Sequence, residues 1–490
     1  MKYKKEFIYI GELKNYLMEG KGIIYIINNN KLIKEYEGEF RLDKYEGEGK
    51  LYEYDKNGNL LGYYFGQMID GRKHGKGKLY TKDHNIIYDG EFAFGKMEGF
   101  GKFYFDDGYY YEGNFNNEVM EGKGKLFKEN KVIYEGDFKS DEFHGEGRRN
   151  YQNGTFYIGQ FINGVRHGNG ILFDENNKII YDGEFKFDKY DGDGKIFNED
   201  DFCYIGQFRK GEKNGNGIIF DKDKNIKYKG EIKEDRASGK GFVNLGNGLY
   251  YNGELKNGQL HGKGNIKDKE NKILYDGDFK FGEYDGEGIL YYIEGKHYIG
   301  EFRNGVRHGN GTLFDENYNK IYEGEFKFDK FCGKGKKYGP NEVLVYEGNF
   351  NNGEYHGKGT YYDDGKILYI GDFQNGKFNG EGTLYSNGIK YIGEFKDGYR
   401  NGKGKLINEK GKIIYEGDFK LNNKEGNGKM YYEDNFYYIG QFKDNKMEGD
   451  GTVYNEKGDI EYKGKFKDNK PQESILFHKI SSLFKFIKDK

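Results

Sequence analysis

One signature, Tyr-x-Gly-x-Φ with Φ apolar, opens twenty segments of this chain, and a pattern that returns so regularly cannot be gathered into one compact core. The openings are Tyr9, Tyr36, Tyr64, Tyr88, Tyr111, Tyr134, Tyr157, Tyr181, Tyr204, Tyr228, Tyr251, Tyr275, Tyr298, Tyr322, Tyr346, Tyr369, Tyr391, Tyr415, Tyr438 and Tyr462. After the first three they recur every 22–24 residues, and Φ is Phe in sixteen of the twenty, so the spacing is nearly metric. A second signature, Gly-x-Gly, follows in nineteen repeats and is missing only from the last. Examples are Gly75/Gly77, Gly168/Gly170 and Gly449/Gly451, always nine residues after the first Gly. Length varies only between Gly-x-Gly and the next Tyr, which separates a rigid unit from a tolerant connection.

Within a repeat the period is two. In Tyr157-Ile158-Gly159-Gln160-Phe161, Tyr, Gly and Phe share one face of a strand. Asn163-Gly164 follows, a strong hairpin signal, and recurs as Asn257-Gly258, Asn304-Gly305, Asn352-Gly353, Asn375-Gly376 and Asp397-Gly398. The returning strand carries Gly168, Gly170 and Leu172. Each repeat therefore reads as one β-hairpin, with successive hairpins paired edge to edge. The Gly between Tyr and Phe leaves a notch for an aromatic ring, expected from a neighbouring strand. One hairpin is marginal alone, but stacked hairpins bury a continuous row of rings. The expected fold is all-β: an elongated, twisted single-layer sheet of about twenty hairpins, on the order of 190 Å long at roughly 4.8 Å per strand. It occupies residues 1–470, with a short C-terminal α-helix in 471–490.

Composition agrees. Apolar residues make up 35% and charged residues 33%, values that would suit a disordered chain, but aromatic residues reach 18%, which disordered chains lack. The net charge of −3 offers no basic footprint for nucleic acid. Cys203 and Cys332 form neither a disulfide framework nor a CxxC pair, and they suit a reducing cytosol. Residues 1–20 have no signal-peptide core, and no apolar run is long enough for a membrane-spanning helix.

The face opposite the rings carries charge in rows. The residue three after Tyr is acidic in thirteen repeats (Glu12, Glu39, Glu184, Glu301), and the residue five after is Lys or Arg in fourteen (Lys14, Arg41, Lys186, Arg303), so a solvated, salt-laced surface is expected. Phe161–Lys195 and Phe302–Lys336 match at 26 of 35 positions, the mark of block duplication in a protein selected for length or valency.

Site-like signals dissolve into this background. Six His (His74, His144, His167, His261, His308, His356) share the position before Gly-x-Gly, but no repeat supplies a second metal ligand beside it, so a turn role is expected. Gly371 to Lys377 has phosphate-loop spacing but continues with Phe378, and it lies inside a hairpin. Asp221-Lys-Asp223-Lys-Asn225 begins like a calcium loop, but Ile226 and Ile232 stand where Gly and Glu are needed. No catalytic set emerges, so no enzyme activity and no cofactor are expected.

After Pro471 the pattern changes. Leu476, Ile480, Leu483 and Ile487 follow helical spacing, flanked by Phe477 and Phe484, with Lys479, Lys485 and Lys488 on the polar side. The amphipathic helix expected here would cap the last hairpin, bind a partner or second copy, or lie on a membrane surface.

Tyr-x-Gly-x-Phe followed by Gly-x-x-His-Gly-x-Gly resembles the MORN repeat (membrane occupation and recognition nexus). The best copies begin at Tyr157 and Tyr298, and the resemblance spans about residues 9–469. Tyr64-Phe-Gly-Gln-Met and Tyr228-Lys-Gly-Glu-Ile depart by losing the Phe and are expected to mark weaker joints. The resemblance implies a grooved β-rod acting as a scaffold or adaptor for protein partners at the cytoskeleton or cell cortex. It implies a cytoplasmic setting: cortical, axonemal or peripheral to a membrane. Partners would include an amphipathic helix in the groove and further copies of the chain. Central rings such as Tyr157, Phe161, Tyr298 and Phe302 are the expected groove contacts. The alternatives are an adaptor that reads anionic phospholipid such as phosphoinositide, and a targeting subunit of a lipid kinase.

Overall fold

A computed structural model describes residues 6–28, 31–197, 203–432 and 435–473. These form forty strands and two single-turn 3-10 segments, Asp106–Gly108 and Pro340–Glu342. The chain divides into two halves, Met1–Val243 and Asn244–Lys490, each built from the same hairpin. The helix expected over 471–490 falls outside the described residues, apart from Pro471 to Glu473.

The repeat from Tyr157 shows the construction. Strand Phe156–Ile162 turns through Asn163 and Gly164, both at positive φ (50° and 80°), into Val165–Phe173. Such turns match the right-handed strand twist and keep the hairpin flat on its neighbours. The second strand pairs antiparallel with Ile179–Lys186, the opening strand of the next repeat. Gly159 stands opposite Gly170, and Gly170 opposite Gly183, so a line of glycines crosses the strands in register.

The two glycines of Gly-x-Gly serve different physical needs. Between Gly159 and Phe161 the register shifts, leaving Gln160 against a bulge in the returning strand. Gly168 lies in that bulge at φ 65°, and all nineteen equivalent glycines have φ between 56° and 115°, where side chains are strained. The second glycine is a matter of space: a Cβ at Gly170 would fall on the Tyr157 ring. That ring comes from its own hairpin, folded back along its own strand, rather than from a neighbouring strand as the sequence suggested. Its hydroxyl donates to the Gln160 carbonyl at 3.1 Å. The same bond, from Tyr to the carbonyl three residues on, occurs in all twenty repeats, which is why the position is Tyr and not Phe.

The core is a file of edge-on rings. Phe161 sits between Tyr157 of its own repeat (5.1 Å) and Tyr134 of the preceding one (5.2 Å), and Tyr157 meets the next Phe, Phe185, at 5.0 Å. Burial of each Phe contributes roughly 1.5–3 kcal/mol, and each edge-on pair about 0.5–1.5 kcal/mol more. The contacts run from repeat to repeat, so stability is a nearest-neighbour sum. Met68, Ile232 and Leu255 are buried where the Phe is lost, and the strands continue through those repeats.

Candidate partner-binding face

The rings expected to line a groove lie inside the protein. Tyr157, Phe161, Tyr298 and Phe302 are 0%, 1%, 0% and 4% exposed, leaving no surface for a partner. What meets solvent on the ring side is a second layer, the residue nine after each Tyr. In seven repeats this residue is a half-buried ring stacked on the Tyr at 3.7–4.0 Å: Tyr45, Phe143, Tyr190, Tyr284, Phe331, Tyr355 and Phe378. In others a cation replaces the ring. The Arg166, Arg307 and Arg400 guanidinium groups lie 5.6–5.7 Å from the centres of Tyr157, Tyr298 and Tyr391. The sequence held a signal for this layer that period-two reading passes over: the ninth residue after Tyr is never acidic.

The cations differ in how they are neutralised. Arg166 Nε meets Asp188 Oδ1 at 3.0 Å while Nη2 donates to the Asp188 carbonyl at 2.8 Å, and Arg307 repeats this with Asp329. At Arg400 the corresponding residue is Asn422, whose carbonyl accepts from Nη2 at 2.9 Å and whose side chain supplies no charge. One repeat on, Lys424 faces Asn445 instead of an aspartate. Among the described residues neither Arg400 nor Lys424 has an ion-pair partner. Burial lowers the pKa of both groups, and Arg400 lowers that of Lys424 further. The second half thus carries two cations on its ring cover whose partly buried charge is uncompensated.

The opposite face is exposed, as its composition suggested, but its acidic row has a further task. The acidic or amide residue three after Tyr is tied to the bulge: Glu301 Oε1 accepts the Asn310 N–H at 2.9 Å, and Gln160 Oε1 that of Asn169 at 3.2 Å. In two repeats the residue is Asn and the bond reverses, as Asn349 Nδ2 donates to the Lys358 carbonyl at 3.3 Å. The Lys and Arg five after Tyr stand exposed near the hairpin tips, and none of that row makes an ion pair among the described residues; Lys186, Arg303 and Lys327 are examples. The first turn position, next in sequence to that row, holds Phe187, Phe281 and Phe328 after a Lys and Phe94 after Ala93, all 65–74% exposed and at φ 50–52°. A bulky side chain there costs about 1–2 kcal/mol.

Each of these four Phe rings is met at 5.4–5.8 Å by a repeat histidine, edge-on by His74, His167 and His308 and at a tilt by His261. The Nδ1 atoms of His144, His167, His308 and His356 are buried without a hydrogen-bond partner. Among the described residues no three His, Cys, Asp or Glu side chains gather to hold a metal ion. Gly371 and Gly376 belong to the hairpin of Lys366–Gln374 and Lys377–Ser386. Asp221 closes a turn, its Oδ1 accepting the N–H groups of Asp223 (3.0 Å) and Asn225 (2.8 Å). Among the described residues no helix is long and apolar enough to cross a membrane. The candidate helix residues Leu476, Phe477, Lys479, Ile480, Leu483, Phe484, Lys485, Ile487 and Lys488 lie outside the described residues.

Comparison with known proteins matches the family model described as the MORN repeat to eighteen segments between residues 9 and 460. The repeat opening at Tyr228 and the last, at Tyr462, are passed over, and these lack the Phe and the Gly-x-Gly respectively. Tyr228 and Ile232 are nonetheless buried like their counterparts. Curated proteins give no match. Among solved structures, the crystal structure of BamB from Moraxella catarrhalis aligns with 66% of this chain and 87% of its own, at 11% identity and a TM-score of 0.12.

Proposed function

Since the chain belongs to the MORN-repeat family, a family of tandem β-hairpins, we propose that it is a non-catalytic scaffold that holds protein partners along the ring cover, at the cytoskeleton or cell cortex. The observation that carries this reading is the cover column of half-buried rings and cations, ending in the uncompensated Arg400 and Lys424. Half-buried rings beside arginine are the side chains that anchor protein interfaces. An acidic residue on an amphipathic partner would supply the charge that Asn422 and Asn445 do not. The test places a photo-crosslinking residue at Tyr284 or Tyr355 on the cover, or at Ile370 on the opposite face, in the full chain in cells. The proposal requires discrete adducts from the cover positions that disappear with Arg400→Ala/Lys424→Ala. Equal adducts from position 370 overturn it.

A second reading, contact with anionic phospholipid, is favoured by one observation: the unpaired tip cations flank exposed Phe281 and Phe328. Co-sedimentation of the full chain with phosphoinositide vesicles at physiological salt, lost on Phe281→Asn/Phe328→Asn, would support it. No sedimentation at physiological salt removes it, because a screened surface row then has no hold.

A further inference from the structure

The first strand, β1 (Phe7–Lys14), pairs on one side with β2 (Leu17–Asn28). Among the described residues nothing pairs with its other side. Phe7, Ile8, Ile10 and Leu13 are 56%, 47%, 60% and 62% exposed. A long apolar edge with open backbone groups is a template for another strand. The far end differs. Ile460–Lys467 is followed by the two-residue strand Lys470–Pro471, and it carries Lys463, Lys465 and Lys467. Lysine and proline are what blunts an edge.

We infer that β1 is a self-pairing edge, joining two copies of this chain through an antiparallel β1–β1 ladder with its two-fold axis at Gly11. The register argues for a second copy rather than an unrelated strand. Between successive hairpins of the first half, Gly always stands opposite Gly, as Gly22 with Gly38, Gly49 with Gly66 and Gly77 with Gly90. In four of those junctions the Tyr stands opposite a Leu: Leu51 with Tyr64, Leu79 with Tyr88, Leu126 with Tyr134, and Leu172 with Tyr181. An antiparallel two-fold pairing with Gly11 opposite Gly11 sets Tyr9 opposite Leu13 of the second copy, and Leu13 opposite its Tyr9. Both rules of the interior are met at once. They are met because position 13 is Leu, where sixteen of the twenty repeats have Phe. Tyr9 is half exposed while the interior tyrosines are buried, so pairing completes the cover it lacks. Two-fold pairing also consumes both open edges and closes the assembly at two copies. This inference does not depend on the ring cover or on any partner bound there.

The test uses the full chain. Sedimentation velocity is expected to show the mass doubling between about 1 and 100 µM, as suits an interface of one strand per copy. Ile10→Lys/Leu13→Lys is expected to remain monomeric over that range with unchanged circular dichroism, since both side chains are exposed. Register is read separately with Cys203→Ser/Cys332→Ser as background. Copies bearing Ile10→Cys, mixed with copies bearing Glu12→Cys, are expected to form a disulfide, because those positions face each other about 4.5–5.5 Å apart across the ladder. Ile10→Cys copies alone are not, because they lie about 7–8 Å apart on a diagonal. A chain that stays monomeric at 100 µM overturns the inference. So does a dimer that survives the lysine pair, or a disulfide among Ile10→Cys copies alone.

Discussion

Phe302→Ala is the most direct probe of the ring file. Phe302 is 4% exposed and meets three rings: Tyr298 at 5.1 Å, Tyr275 of the preceding repeat at 5.4 Å, and Tyr284 at 5.7 Å. Truncating a buried Phe costs about 3–5 kcal/mol. Here it also removes the ring shared by two repeats, so the upper part of that range is expected. In a repeat protein this loss is local, and one global melting temperature is a poor readout. Hydrogen exchange by mass spectrometry on peptides covering Glu283–Tyr291, His297–Arg303 and Val306–Phe314 is the appropriate assay. Exchange there is expected to accelerate by roughly a hundred- to a few-thousand-fold, at 1.4 kcal/mol per tenfold. Peptides near residue 400 should be unchanged. Ile299→Ala, 43% exposed on the opposite face, should move exchange by less than about fivefold. Uniform acceleration across the second half would refute nearest-neighbour stability, and a change as small as that of Ile299→Ala would refute the placement of Phe302 in the core.

Gly168→Ala forces a side chain into φ 65° and against Gln160, and a loss of about 1–3 kcal/mol is expected by local hydrogen exchange. Burial raises the phenol pKa of Tyr204 and Tyr251 to about 12, and that of most other repeat tyrosines higher still. The unfolded chain therefore loses its tyrosine protons first, so stability holds below pH 10 and falls as pH rises through 10 to 12. Circular dichroism and the 295 nm phenolate band should change together in that window. Phe328→Asn replaces a strained ring with the residue that occupies the same turn position at Asn304, and a gain of about 1 kcal/mol is expected by local exchange, less what the His308 contact contributed.

How far the residues alone carry can be followed at Tyr298. The two-residue alternation, the Asn-Gly turn and the metric spacing are local facts, so the hairpin and its file of rings were legible. The path of the ring was not. Whether Tyr298 reaches a neighbouring strand or folds over its own glycines depends on the hydroxyl finding the Glu301 carbonyl at 3.0 Å, a distance that no alternation encodes. The same gap explains the groove. A row of large rings on one face reads as a surface until the residue nine positions on is seen to cover it. That covering residue lies just beyond the two-residue turn and before the bulge, where period-two counting from the Tyr has already lost its phase. The acidic row was visible and stands at the surface as expected, with Asp137, Asp278 and Asp418 in ion pairs, but alternation alone does not show that its members also accept the bulge N–H groups that the first Gly of Gly-x-Gly creates.

The repeat needs only its Tyr, its two close-packed glycines, its bulge glycine and its Phe to stand, which leaves the cover residue free to differ from repeat to repeat and makes it the place where specificity can be written. Asn422→Asp tests whether it is written at Arg400. The first half holds the control: Arg166 with Asp188 has the geometry that Asn422→Asp would restore, a 3.0 Å ion pair over a buried Tyr. Gaining a partly exposed pair changes stability by about 1 kcal/mol or less. Binding of a polyglutamate peptide, measured by fluorescence anisotropy at low salt, should weaken about tenfold, because the added carboxylate competes for the guanidinium that the peptide would use. Arg400→Met, which keeps the packing over Tyr391 but not the charge, should weaken it as much. If both variants bind as the parent does, the uncompensated cations are only tolerated, and the rings of the cover must carry recognition alone.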